Sequence, residues 1–393
     1  MISIENKTEC CGCASCVQAC PQKCISFAED REGFRYPKVS KNNCIDCGIC
    51  EKVCPILQGK DTLPREPLAV HAAKNMNEQV RLQSSSGGIF TLLAERVINQ
   101  GGVVFGARFD ERWEVVHDYT ETIEGLAAFR GSKYVQSRIE DNFQKTKAFL
   151  NNGRKVLFSG TPCQIAGLRG YLKKEYDNLL CVDIVCHGVP SPKVWRSYLK
   201  DVTRKKDNRN AVLRFFSIKP NVMIENINFR DKSKSWKGYS FIVTLSEELP
   251  QGGIQSVSRD RAFYEDSYMK LFLNNVILRP SCYDCKFRNL KSGSDITIGD
   301  FWGIDRFNPQ FDDDKGVSLV LVNTEKGEKC YPANSTESFS LKYEDSYRYN
   351  PVLLKSCIEH PSRNVFFKIL PLIKRFEGIS NLCIRYKPTI FTR

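Results

Sequence analysis

A chain of 393 residues with 41% hydrophobic content is long enough for two or three domains with real cores, and its lack of a long unbroken apolar run excludes a membrane span. Eighteen cysteines, behind an opening "MISIENKTECCGC" that lacks the basic-then-apolar pattern of a signal peptide, exclude a disulfide scaffold and point to metal or redox chemistry in the cytoplasm. The formal charge of +13 suits small anionic partners; with no basic run or RNA-binding motif it gives no case for nucleic acid, and an iron–sulfur cube held by four thiolates, at roughly −2, would offset part of it.

The cysteines are uneven: ten fall within the first 54 residues. "CCGCASCVQACP" and "CIDCGICEKVCP" repeat the pattern C-x2-C-x2-C-x3-C-P. This is the run of bacterial ferredoxins with two 4Fe-4S clusters. Its short spacings wrap three thiolates round one cube, and the fourth cysteine crosses to the other. The pattern assigns Cys10, Cys13, Cys16 and Cys54 to one cluster, and Cys44, Cys47, Cys50 and Cys20 to the second. Zinc modules do not use this spacing twice with terminal prolines. Cys11 and Cys24 are surplus, and Cys24 reads as a small apolar packing residue.

A polar linker, Gln58 to Pro67, closes this module. Beyond it, "SSSGGIFTLLAERVINQGG" predicts a capped helix over 88–100. "GVVFGARF" and "WEVVHDYT" predict strands. A buried strand, Lys155 to Phe158, runs into a Gly/Pro loop, a helix follows, and a second strand spans Leu179 to Val185. Strand, helix and strand in that order predict a βαβ unit with parallel strands. From about Arg209 strands dominate ("INFRD", "YSFIVTL", "DITIGDF", "VSLVLVN"), with a helix in "AFYEDSYMKLFLNN". The last stretch is poorly patterned; "NVFFKILPLIKRF" reads as an amphipathic helix broken at Pro371. The fold class is therefore α+β with an α/β component: a ferredoxin module (1–58), an α/β domain (68–205), a strand-rich C-terminal domain (206–330) and a tail (331–393).

"RPSCYDCKF" holds an isolated C-x2-C, Cys282 and Cys285, which is half a metal site. Its available partners are Cys163, Cys181, Cys186, Cys330, Cys357 and Cys383. If the two strands before Cys163 and Cys186 are parallel, both thiols emerge at the carboxyl edge of one sheet, where open α/β sheets bind ligands. Cys181 lies inside its strand and should be buried. The residues alone leave two readings open: a third cluster on Cys163, Cys186, Cys282 and Cys285, or inert thiols beside a pair that binds zinc or nothing.

With "SSSGGIFTLLA", "GSKYVQS", "LFSGTPCQIAGL", "VDIVCHGVPSP", "LRPSCYDCKF" and "SDITIGDFWG" in this order, the chain resembles the family of coenzyme F420 hydrogenase/dehydrogenase β-subunits from about Leu68 to Asn323, behind the ferredoxin module. The resemblance implies an iron–sulfur flavoprotein with FAD. It also implies a cluster near the flavin held by cysteines of these loops, and hydride exchange with coenzyme F420 or another small acceptor. Other functions compatible with the likeness are reduction of a sugar-linked metabolite in surface-polysaccharide synthesis, and electron transfer without catalysis inside a larger complex. A redox partner protein or subunit and a small anionic substrate are the implied partners. The flavin contacts would come from Ser85, Ser86, Gly87 and Gly88 at a helix start suited to phosphate, from Gly131, Ser132, Lys133 and Tyr134, and from Gly160 and Thr161 beside Cys163. The likeness also places Asp295, Gly299 and Asp300 near the junction of cluster and flavin.

Overall fold

A computed structural model describes residues 1–59, 65–204, 222–248, 253–373 and 375–376. The chain divides into two compact units, one built from Met1–Ser191 and Leu278–Ile358, the other from Pro192–Ile277 and Glu359–Arg393. Among the described residues the strands are β1 (Ile25–Glu29), β2 (Arg35–Val39), β3 (Ala69–Asn75), β4 (Val103–Phe109), β5 (Val115–Thr120), β6 (Val156–Gly160), β7 (Leu179–Ile184), β8 (Val222–Asp231), β9 (Ser240–Glu248), β10 (Ile254–Ala262), β11 (Ile296–Asp300), β12 (Ser318–Val322) and β13 (Thr336–Ser340). None of the described helices is long and apolar enough to cross a membrane.

The first unit joins the cysteine-rich module, with its β1–β2 hairpin, to an eight-stranded sheet ordered β13-β3-β12-β11-β7-β6-β4-β5. The centre of the sheet is parallel: β6 pairs with β7 from Val156↔Leu179 to Gly160↔Asp183, and β4 and β11 extend the set on either side. The flanking strands are antiparallel. Parallel strands covered on both faces read as unbroken apolar runs, and Val156, Leu157 and Phe158 are all buried. Their side chains alternate between two cores. Phe158, Phe105 and Leu179 pack with Ile165 and Leu168 of the helix Pro162–Leu172, and with Phe143 of the helix Asn142–Asn151. Leu157, Leu180 and Val182 pack with Ile89, Leu93 and Ala94 of the helix Ile89–Ile98. The unit β6–helix–β7 is the βαβ element expected from the sequence.

The helix Ile89–Ile98 starts differently from expectation. Gly88 caps it in the left-handed region at φ 83°, and no serine side chain caps it. Gly87 is required by packing: a Cβ there would stand 2.4 Å from the Ala73 carbonyl and 2.7 Å from the Ser318 amide. The poorly patterned stretch after residue 331 contributes an edge strand, β13, paired to β3. Both were hard to see, because β3 is alanine-rich and β13 is a short polar "TESFS".

The strand-rich part of the sequence is shared between the units. β11 and β12 enter the large sheet, whereas β8, β9 and β10 form an antiparallel sheet of the second unit. The reason is in the side chains: β12 is buried throughout, while β8 and β10 keep exposed positions. In the second unit Trp195, fully buried, packs within an aromatic core, tilted against Phe229 at 5.2 Å and edge-on to Tyr268 at 5.0 Å. Asp266 caps the helix Ser267–Leu273 and accepts from the Tyr198 hydroxyl at 2.7 Å. The tail helix runs over Arg363–Ile369 and tightens to a 3-10 turn, Leu370–Leu372, at Pro371. The expected boundary at 205/206, the start of the strand-rich stretch at Arg209, and Cys383 fall outside the described residues.

Candidate metal centres

The repeat is also a repeat of backbone conformation. Gly12 (φ 72°) and Ala14 (φ 70°) match Asp46 (φ 48°) and Gly48 (φ 69°), each pair leading into a short helix, Ser15–Ala19 or Ile49–Lys52. These left-handed turns fold the loop so that successive cysteines face inward. Cys44, Cys47 and Cys50 line one cavity together with Cys20 from the other repeat. Cys54 goes the other way: burial pushes its thiol up to about 11, and the thiols of Cys13 and Cys10 push in the same direction. Cys16 is likewise raised, first by burial and then by Cys13, Cys10 and Cys54. The two sets of four that the spacing pairs are thus brought together. Cys24 sits beside the second set, its Sγ 3.4 Å from that of Cys20.

Cys163 stands in the first turn of the helix Pro162–Leu172, just after β6. Thr161 and Gln164 form a capping box there, and Pro162 fills the first helical position. Cys186 stands just after β7. The distant pair reaches this edge through an antiparallel bridge, Pro190↔Leu278, and a bond from the Arg279 amide to the Val189 carbonyl at 3.0 Å. The 3-10 turn Pro280–Cys282 then presents Cys282, whose Sγ accepts from the Val189 amide at 3.4 Å. Arg288 pins the loop after β7 by donating to the carbonyls of Cys186 and His187. Cys163, Cys186, Cys282 and Cys285 line a single cavity of about 490 Å³, counting the part open to solvent. Among the described residues no three potential ligands crowd round one ion-sized point; these four thiols surround a larger space. Burial pushes Cys282 up to about 12 and raises Cys186 and Cys285. Such thiols hold their protons until a metal displaces them.

The remaining cysteines separate from this set. Cys181 is fully buried inside β7. Cys330 packs against the helix-covered face of the sheet. Cys357 lies close by, donating to the His187 carbonyl at 2.8 Å. Asp295 is at the opposite, amino end of β11, where it accepts from the Cys181 amide at 2.8 Å and the Thr324 hydroxyl at 2.9 Å. It braces the sheet rather than the cysteine cavity, because β11 runs parallel to β7 and its far end, Gly299 and Asp300, shares the cysteine edge, Gly299 packing against Val185.

Two residues that the motifs did not single out tie the ferredoxin loop to this edge. Cys11, buried, packs with both Cys13 and Cys163, and its thiol is the first cause of the lowered pKa of each, Cys13 falling to about 6. Arg279, fully buried, donates to the Cys10 carbonyl at 2.8 Å. Neither role has a local sequence signal, since each depends on segments far apart in the chain.

The expected flavin loops also converge. The Ser132 amide donates to Ser85 Oγ at 2.6 Å. The Lys133 ammonium donates to the carbonyls of Arg130 (3.0 Å) and Gly131 (3.2 Å). The Lys133 side chain is half-buried, and loss of hydration lowers its pKa to about 7. Gly131, at φ 79°, has open space where a Cβ would be. Tyr134 is half-buried in the same loop. His117 bonds to the Ser159 carbonyl at 3.0 Å, which can only accept, so Nε2 carries the proton and Nδ1 accepts from Ser137 at 3.0 Å. Gln164 donates to Ser137 at 2.8 Å and accepts from the Thr161 amide at 2.9 Å. Thr161 Oγ1 lies 3.2 Å from Cys163 Sγ. Gly160 has the Gln164 side-chain oxygen 3.1 Å from where its Cβ would be. By contrast Ser86 donates to the Val317 carbonyl, and the Gly87 amide donates to Ser318 Oγ at 3.0 Å. The Gly88 carbonyl accepts from the Asn75 side chain. Those three groups are occupied in holding strands together.

Known proteins match the chain in two places and along most of its length. Residues 153–344 match the family described as the C terminus of the coenzyme F420 hydrogenase/dehydrogenase beta subunit. Residues 9–56 match the 4Fe-4S dicluster domain. The chain is 21% identical over 338 residues to the F subunit of the F420H2 dehydrogenase of Methanosarcina mazei, covering 82% of this chain and 81% of that one. Its first part is 46% identical over 55 residues to a 7Fe ferredoxin of Hydrogenibacillus schlegelii, 14% of this chain and 64% of the ferredoxin. A structure of the F420-reducing NiFe hydrogenase complex from Methanosarcina barkeri overlaps 81% of this chain and 91% of its own, at 15% identity and a TM-score of 0.43.

Proposed function

Because the chain belongs to the family of coenzyme F420 hydrogenase/dehydrogenase β-subunits, with a 4Fe-4S dicluster module in front, we propose that it is an iron–sulfur flavoprotein oxidoreductase that exchanges electrons between its cluster sites and a small hydride acceptor. The observation that carries this reading is the shared cavity of Cys163, Cys186, Cys282 and Cys285. Cys11 packs it on one side against the ferredoxin loop, and on the other Thr161 reaches through Gln164 to Ser137, in the segment that also carries Ser132 and Lys133. Each set of four thiols would hold a 4Fe-4S cluster, three in all. FAD would lie against Ser85, Gly131, Ser132, Lys133, Tyr134, Gly160 and Thr161. Ser86, Gly87 and Gly88 support that site from behind through their bonds to the strands.

A flavin bound there would supply the interchange of a hydride with single electrons, which a one-electron cluster lacks. The chain's own residues prepare the ground for it. Lys133 offers a cation to a phosphate or to the anionic edge of a ring, and Gly131 leaves room for close approach. Burial lowers His117 to about 4, so the imidazole stays neutral and fixes the loop that follows β6 through Ser159 and Ser137.

Lys133 makes this pH-dependent. Its ammonium is charged below about 7 in the flavin-free protein. An anion at the site would need that charge, so flavin affinity should be flat below pH 7 and weaken as pH rises above it. Lys133→Met should loosen flavin by about ten- to hundredfold, the worth of a hydrogen bond to a charged group, and abolish the pH dependence. Flavin-binding titrations across pH 6 to 9 check both; equal affinity across that range in the native chain would remove Lys133 from the site.

The acceptor is tested by reducing the protein with dithionite without air and mixing it with oxidised coenzyme F420. Reoxidation of the protein is the expected result. Bound flavin without reoxidation would direct the search to other anionic acceptors, sugar-linked metabolites among them. Clusters without flavin would make the chain an electron-transfer subunit, a role compatible with the relative from Methanosarcina mazei being itself a subunit.

A further inference from the structure

Arg279 is 1% exposed. Its Nε donates to the Cys10 carbonyl at 2.8 Å, Nη1 to Gln136 Oε1 at 3.1 Å, and Nη2 to the Arg35 carbonyl at 2.9 Å. Nη2 also lies 3.6 Å from Cys10 Sγ, and the guanidinium stacks over Tyr36 at 4.4 Å and Phe34 at 5.5 Å. Gly12 is required to be bare here, since a Cβ would stand 3.0 Å from Nη1. Arg279 also lines the cavity of Cys163, Cys186, Cys282 and Cys285. Its described hydrogen-bond partners are carbonyls, an amide and a thiol. A buried guanidinium with such neutral partners bears an uncompensated desolvation cost unless an anion balances it. The groups round it able to supply that anion are acidic ones: Cys10 acts on it most strongly, then the Tyr36 hydroxyl, Cys11 and Cys282; of these Cys10 and Cys282 belong to the two cluster sites.

We propose that Arg279 is a counter-charge shared by two cluster sites, the one that includes Cys10 and the one that includes Cys282, and that it holds both at higher reduction potential than the site of Cys44, Cys47, Cys50 and Cys20. This rests on the three-cluster reading above. Reduction adds one electron and makes a thiolate-held cluster more negative, so a fixed cation nearby favours the reduced form. No proton need accompany the electron, because arginine stays charged at any working pH. The effect weakens with distance, so the Cys10 site, in direct contact, should respond more than the Cys282 site. The cavity of Cys44 is lined differently: among the described residues it has Asp46 and no lysine or arginine. The resulting order of potentials would draw electrons from the outer ferredoxin site inward to the sheet edge.

Redox titration followed by electron paramagnetic resonance tests this on the whole chain, with iron counted in each sample. Arg279→Gln should move two of three midpoints to more negative values, the Cys10 signal most, and leave the third in place. Arg279→Lys keeps the charge and should restore most of the shift. Gln136→Glu sets a carboxylate against Nη1 without removing the arginine, and should move the same two signals in the same direction; it decides the matter alone if Arg279→Gln loses iron. Unmoved midpoints in variants with full iron, or an equal shift of all three, would overturn the proposal. Native protein with only about eight irons would instead remove the third cluster and leave the Cys10 signal as the one that must move.

Discussion

The Cys282→Ala protein is expected to carry about eight irons where the native chain carries about twelve, with the signals of both ferredoxin clusters intact. The argument is spatial. Cys282 is presented by a one-turn 3-10 helix into a cavity that contains only one sulfur from each of the two strand ends. Without it, three of the four assigned ligands remain and the cube loses a corner; the fifth thiol lining the cavity, Cys11, is packed between Cys13 and Cys163. The ferredoxin ligands come from other loops and keep their own spacing, so they should load as before. Cys181→Ala is the control. That thiol is more deeply buried than the half-buried Cys282, at 0% exposure, but lies inside β7 and should cost some stability and no iron. Equal iron in Cys282→Ala and the native chain would mean that the cavity is a packing feature; loss of zinc in place of iron would make it a zinc site.

A second large effect is expected at Gly167. The helix Pro162–Leu172 has no side chain there, and an added Cβ would stand 2.7 Å from Cys13 Cβ, 2.9 Å from Ser15 Oγ and 3.0 Å from Cys13 Sγ. One turn on, a Cβ at Gly170 would stand 2.6 Å from the Val53 carbonyl. Two glycines three apart on one helix face thus make the seat for the ferredoxin loop. Ser15 locks it by donating to the Gly167 carbonyl at 2.7 Å, and Gln18 accepts from the amides of Phe143 and Gln144. Gly167→Leu forces this seat open. It should destabilise the chain by about 1–3 kcal/mol, the usual range for overpacking, and break the Cys11 link between Cys13 and Cys163. Thermal unfolding should show the loss, and reduction of the flavin through the ferredoxin module should slow while iron content holds. Gly59→Leu, where a Cβ meets nothing within 4 Å, is the neutral comparison. An unchanged melting curve in Gly167→Leu would show that the module is not seated on this helix.

The contrast between these two predictions shows what the sequence discloses. Cysteine ligands at short spacing are legible because the metal dictates the spacing, and Cys163 and Cys186 became legible once two apolar runs implied parallel strands with a common edge. Gly167 and Arg279 were not, since their roles arise only when segments more than a hundred residues apart meet. The Ser-Gly run before the helix Ile89–Ile98 is ambiguous in the sequence for a different reason. Serine and glycine suit both a phosphate cradle and a tight strand contact, and here Gly87 is bare because Ala73 and Ser318 crowd it. The strand-rich stretch looked like one domain because strand signals are local, whereas the choice of sheet depends on how much of each strand is buried.

The most direct test is the count of iron, acid-labile sulfide and released flavin on one anaerobically purified sample. About twelve irons, about twelve sulfides and one flavin per chain are expected for three cubes beside one isoalloxazine. About eight irons would contradict the assignment of the thiols that meet at the sheet edge.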